Sequence, residues 1–119
     1  MYSAQVLDHF EHPRNAGVLN APDATVQLEN PACGDVLKLT AKIVNGDIQQ
    51  IRFQAKGCVP AIACGSALTE LVAGKPLADA GALHREELVK NLGGLSQASQ
   101  HASHLAIDAL VALLKALRA

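Results

Sequence analysis

Tryptophan is absent from the 119-residue chain, and Tyr2, Phe10 and Phe53 are its only aromatic side chains, 3% of the total. A core must therefore be assembled from Ala, Leu, Val and Ile, which the 50% hydrophobic composition supplies. Side chains of this size suit helices packed closely on a sheet. Charge of one sign is scarce too. The formal net charge is -1 and no stretch carries five or more like charges, so neither the basic footprint of a nucleic-acid-binding domain nor a polybasic membrane patch is present. No apolar run approaches the roughly 20 residues that span a bilayer. The N-terminus lacks a basic segment followed by an apolar run. Residues 1–119 read as one domain, soluble and cytoplasmic, with neither nucleic acid nor membrane as a partner.

Cysteine is also in short supply. Cys33, Cys58 and Cys64 are odd in number and unequally spaced, which suits free thiols in a reducing compartment better than a disulfide framework. Cys64 lies inside an apolar helical pattern and reads as buried packing material. Cys33 and Cys58 sit in glycine-flanked loops, where a packing role fits poorly.

The opening "YSAQVLDHFEHPRN" places Val6, Leu7 and Phe10 at helical spacing, with Ser3 as the N-cap and Pro13 closing a short amphipathic helix. "TVQLEN" and "VLKLTAKIV" alternate as half-buried strands, and Leu37, Leu39, Ala41 and Ile43 share one face. "NGD" at 45–47 is a hairpin turn, from which "IQQIRFQA" returns with Ile51, Phe53 and Ala55 on one face. The strand pattern then stops. "PAIACGSALTELVAG" reads as a helix with Pro60 in its first turn and Gly74 just past its end. One or two short helices end at Gly93-Gly94. A long helix over 98–117 follows, with Leu105, Ala109, Ala112, Leu113 and Leu117 on one stripe, widened by Ile107, Leu110, Val111 and Leu114. The expectation is an α+β fold: a three-stranded antiparallel sheet packed on one face by helices, the last of them long.

That topology carries chemistry. Cys33 precedes one strand and Cys58 follows the strand paired with it, so the hairpin register, with Val36 and Ala55 roughly opposite, brings both thiols to one sheet edge. Asp35 adds a carboxylate. Cys58 stands at a helix N-terminus, whose unsatisfied amides are expected to lower its thiol pKa. Two thiolates and one oxygen leave a four-coordinate metal one ligand short. The first turn of the long helix, "SQHASH", offers His101 and His104, three residues apart on neighbouring positions of one face.

Four segments, in order, give the chain a specific likeness: "YSAQVLDHFEHPRNAG", "NPACGD" at 30–35, "KGCVPAIACGSALTELVAGK" at 56–75 and "HASHLAIDAL" at 101–110. With them the chain resembles the IscU/NifU-N-type scaffolds of iron-sulfur cluster assembly over almost its whole length. The resemblance implies that Cys33, Asp35, Cys58 and His101 hold the metal and cluster, and it puts the family's third cysteine on Ala102. It implies a scaffold or carrier, not an enzyme. Such a scaffold accepts iron and persulfide sulfur, holds a transient [2Fe-2S] cluster and passes it to apo-proteins. Its partners are a cysteine desulfurase and those apo-proteins, and zinc can occupy the site in purified protein. Three departures stand out: Ala102 itself, Val59-Pro60 where the family has small residues, and "LSQAS" at 95–99 in place of the Leu-Pro-Pro-Val-Lys stretch recognised by an Hsp70-type chaperone, which argues against that partner. The SufU-type insertion is missing, so the likeness is to the IscU branch. Two alternatives stay open: a persulfide acceptor with sulfurtransferase-like activity that builds no cluster, and a zinc-binding or regulatory homologue.

Overall fold

A computed structural model describes residues 2–118. Helix α1 (Ala4–Glu11) leads into strands β1 (Ala24–Glu29), β2 (Val36–Val44) and β3 (Asp47–Lys56). Helices α2 (Val59–Val72), α3 (Leu77–Gly81), α4 (Arg85–Asn91) and α5 (Gln100–Arg118) follow, with a 3-10 turn at Gln97–Ser99 before the last. The strands form one antiparallel sheet in the order β1-β2-β3. The fold is α+β, as the run of alternating strands followed by apolar helices implies.

Alternation decides which sheet face is covered. Leu37, Leu39, Ala41, Ile51 and Phe53 point inward and are buried, with α5 over β1 and β2 and α2 over β3. Lys38, Lys42, Arg52, Gln54 and Lys56 alternate with them on the outer face. Close approach of α2 to β3 depends on Gly65, where a Cβ would come within 2.6 Å of the Phe53 ring. The hairpin turns at Asn45-Gly46, both in the left-handed region. An irregularity at Lys42/Ile43 sets the register so that Val36 faces Lys56 and Ala55 faces Leu37. That is one residue from the expected pairing, because a bulge adds one residue to one strand.

Ser3 caps α1 as expected, its Oγ accepting the Val6 amide proton at 3.0 Å. The helix, however, docks by a different face. Val6 and His9 are buried, while Leu7 and Phe10 stay 40% and 36% exposed. The cause is polar. The His9 Nδ1 lies 2.7 Å from Ser66 Oγ on α2, and that oxygen also accepts the Arg14 amide proton at 2.8 Å. His9 Nδ1 and Ser66 Oγ thus share one hydrogen bond, and on the other side of the ring Nε2 lies 3.9 Å from Glu70. On α5 the expected stripe is buried at Leu105, Ala109 and Leu113, with Leu110 and Leu114, whereas Val111 is 47% exposed. Among the described residues no helix is long and apolar enough to cross a membrane.

Burial first, and then the nearby Arg14 charge, hold the His9 pKa below its ordinary 6.5, with Glu70 and Asp8 only partly opposing them. The folded protein thus keeps His9 neutral where the unfolded chain takes up a proton, so the contribution is present above pH 6.5 and is lost as the pH falls towards the folded value. Urea midpoints should therefore drop more steeply below about pH 6.5 in the parent than in His9→Gln. Parallel curves for the two proteins would remove His9 from the account.

Candidate metal and cluster centre

The loop "NPACGD" is organised by its first residue. Asn30 Oδ1 accepts the Ala32 amide proton at 3.0 Å, forming an Asx turn. The Asn30 carbonyl accepts from Gly34 at 2.7 Å, and its amide donates to the Asp35 carbonyl at 2.8 Å. Gly34 takes φ +75, a left-handed turn that a side chain at this point would disfavour. Cys33 is consequently held out in solvent, while Asp35 turns inward and is only 3% exposed.

Across the hairpin, Cys58 is the N-cap of α2, and Pro60 is tolerated at the second helical position because no helical bond needs its amide proton. The Cys58 amide donates to Asp35 Oδ1 at 3.2 Å. Its thiol donates to Asp35 Oδ2 at 3.1 Å. This contact requires Gly57. At φ +144 any Cβ on residue 57 would lie 2.0 Å from Asp35 Oδ1.

From α5, His101 completes the cluster. Its Nε2 lies 3.3 Å from Asp35 Oδ2 and 3.8 Å from Cys58 Sγ. One ligand atom each from Cys33, Asp35 and His101 falls within 4.8 Å of the other two. Asp35 Oδ2 is thus approached by both Cys58 and His101, while the close group that Asp35 and His101 form with Cys33 does not include Cys58. Two sulfurs, one imidazole nitrogen and one carboxylate oxygen form a donor set that suits zinc or iron-sulfur iron.

Protonation at this centre departs from the sequence expectation. Burial, and then the bond to the Asp35 carboxylate, push the Cys58 thiol up, not down. The helix amides lose because a partly buried thiol facing a carboxylate gains an acceptor by keeping its proton. Burial also works against the charge on Asp35, but the thiols of Cys58 and Cys33, the Cys58 amide and the His101 ring outweigh it and hold the carboxyl below its usual range. A cation arriving here takes the place of thiol protons.

The remaining candidates fall outside. His104 is exposed and lines a depression of about 350 Å³ beside His101, without joining the close group. Cys64 is fully buried, and burial pushes its thiol up to about 12. Ala102 is 1% exposed and belongs to the core. Sequence reasoning gave no part to Asn30 or Gly57. Asn before Pro is a recognisable Asx-turn signal, whereas the demand on Gly57 appears only once Asp35 is seen tucked beneath it.

A small α+β domain with thiols, a carboxylate and an imidazole at one sheet end carries the donor types that a metal carrier uses. The family model described as the NifU-like N terminal domain matches residues 1–119, and the chain belongs to that family. It is 41% identical over 110 residues to the iron-sulfur cluster assembly scaffold protein IscU 1 of Archaeoglobus fulgidus, covering 92% of this chain and 72% of that protein. It is 42% identical over 117 residues to the Haemophilus influenzae iron-sulfur cluster assembly scaffold protein IscU, covering 95% and 92%. The crystal structure of a NifU-like protein (N-terminal) from Brucella abortus shares the fold, with a TM-score of 0.77 at 18% identity over 98% of this chain and 93% of that one.

Exposure orders the three thiols, and burial raises the pKa of Cys58 and Cys64. A chromogenic disulfide reagent at neutral pH should modify Cys33 fast, Cys58 more slowly and Cys64 only after unfolding. Modification of Cys64 in the folded protein at the Cys33 rate would contradict its position.

Proposed function

We infer that this chain is an iron-sulfur cluster assembly scaffold: a carrier that takes up iron and persulfide sulfur, holds a [2Fe-2S] cluster transiently and yields it to apo-proteins. The observation that carries this reading is the approach of both Cys58 Sγ and His101 Nε2 to the single oxygen Asp35 Oδ2, at 3.1 and 3.3 Å. Cys33 and Cys58 serve as thiolate ligands and sulfur acceptors, His101 as the nitrogen ligand and Asp35 as the exchangeable oxygen. Being exposed, Cys33 is the thiol a donor reaches first. Its thiolate attacks the outer sulfur of the donor's persulfide, the donor's S–S bond breaks, and the donor leaves as a thiolate. A cysteine desulfurase is the donor this chemistry implies.

The site binds its cargo weakly enough to release it, because a hard carboxylate oxygen is a poorer partner than thiolate for iron-sulfur iron. Residues 1–119 act as one IscU-type domain. Three free thiols support a reducing, cytoplasmic setting, and zinc is the metal expected in protein purified without iron. "LSQAS" at 95–99, which includes the 3-10 turn, argues against an Hsp70-type chaperone as partner. The burial of Ala102, which offers no third thiolate, favours one second reading: a persulfide acceptor that builds no cluster.

Anaerobic reconstitution with ferrous iron, sulfide and a desulfurase tests these readings. A visible chromophore that comigrates with the protein is expected. Persulfide without chromophore would favour the acceptor, and neither would leave a zinc-binding or regulatory homologue. Asp35→Ala should then make the assembled cluster last several-fold longer against a chelator, since the exchangeable ligand is gone. Faster loss in that variant would overturn the role given to Asp35.

A further inference from the structure

One edge of the sheet is open next to the thiols. The Asn30 amide bonds the Asp35 carbonyl, so odd-numbered residues at this end of β2 direct their backbone groups to β1 and even-numbered ones to β3. Val36 pairs with Lys56 and Lys38 with Gln54, which leaves Phe53 and Ala55 facing away from β2. Phe53 is satisfied there: its amide donates to the Asn15 carbonyl at 2.9 Å and its carbonyl accepts from Gly17 at 2.8 Å. The chain then leaves the edge, with the Leu19 amide bonding Thr40 Oγ1. Among the described residues no segment follows on to Ala55.

A groove of about 720 Å³ opens beside this stretch and reaches over the outer sheet face to Val36 and Gln27. Pro13, Ala16, Ala55 and Ile62 supply apolar surface, while Lys38, Gln54 and Lys56 supply polar surface. No acidic side chain lines it. Among the described residues neither lysine takes part in an ion pair.

We propose that this edge docks an extended segment of a partner protein in which acidic and apolar residues alternate, added to β3 as a further strand at Ala55. The backbone of such a segment meets the outward amide and carbonyl of Ala55. Its alternate side chains fall on opposite faces, one set against Ala55 and Ile62, the other against Lys38 and Lys56. The lysines reject a basic strand, and they disfavour a second copy of this chain, whose β3 would bring the same lysines against their counterparts. Cys58 is three residues past Ala55, about 10 Å at strand rise, so a docked segment sets its own protein alongside the thiols. The docking goes beyond the scaffold reading and is measured without metal or sulfur.

The test uses the isotopically labelled, metal-free full chain and three capped peptides: alternating Glu-Val, alternating Lys-Val, and Glu-Val with its edge-facing amides N-methylated. Saturating Glu-Val peptide should shift the Ala55 amide resonance and slow its hydrogen exchange roughly tenfold, while the other two peptides leave it unchanged. Joint Lys38→Glu and Lys56→Glu substitution should weaken Glu-Val binding roughly tenfold and admit the Lys-Val peptide. An unprotected Ala55, equal effects of the methylated or Lys-Val peptide, or an Ala55 shift that depends on protein concentration without peptide would each overturn the proposal.

Discussion

A single buried carboxylate holds the functional end of this protein together. Asp35 links the start of β2 to the N-cap of α2 through the Cys58 amide, faces the Cys58 thiol with its other oxygen, and brings that oxygen within 3.3 Å of His101 on α5. Three elements distant in sequence thus share one charge. Burying a charge is costly unless hydrogen bonds meet it, and here the thiols, the amide and the imidazole do so. These groups are hydrogen-bonded or paired to one another, and in the proposed scaffold they are the same groups that would hold the metal.

This arrangement separates the two oxygens of Asp35 by role. Oδ1 is committed to the Cys58 amide and is confined by the absence of a side chain at Gly57, while Oδ2 faces the sulfur and nitrogen donors. The position after His101 contributes nothing to the donor set, since Ala102 is part of the core. Four donors remain, and their chemistry is mixed. In the proposed scaffold such a centre is less thiolate-rich than a four-cysteine site.

Much of the fold was legible because its signals are local and periodic. Strict alternation marked β2 and β3, Asn45-Gly46 marked the hairpin, and Gly74 and the two glycines at 93 and 94 punctuated the helices. That Cys33 and Cys58 lie at the same end of the sheet followed from hairpin geometry, and the family likeness chose His101 over His104. What was not legible depends on three-dimensional contacts. The docked face of α1 is decided by His9 meeting Ser66 on α2, which an apolar count along the helix cannot anticipate. Cys58 stands at a helix N-terminus, yet burial and then the carboxylate across the hairpin keep its proton in place. The bulge at Lys42/Ile43 has no mark in the residues that form it.

Cobalt(II) substitution most directly tests whether the four side chains act as one coordination sphere. The account predicts one cobalt per chain in a tetrahedral environment, with thiolate-to-cobalt charge transfer that falls by about half in either Cys33→Ser or Cys58→Ser, as expected for two equivalent sulfur ligands. It also predicts a changed ligand-field spectrum in His101→Ala. An octahedral spectrum whose charge-transfer intensity is indifferent to both cysteine substitutions would contradict it.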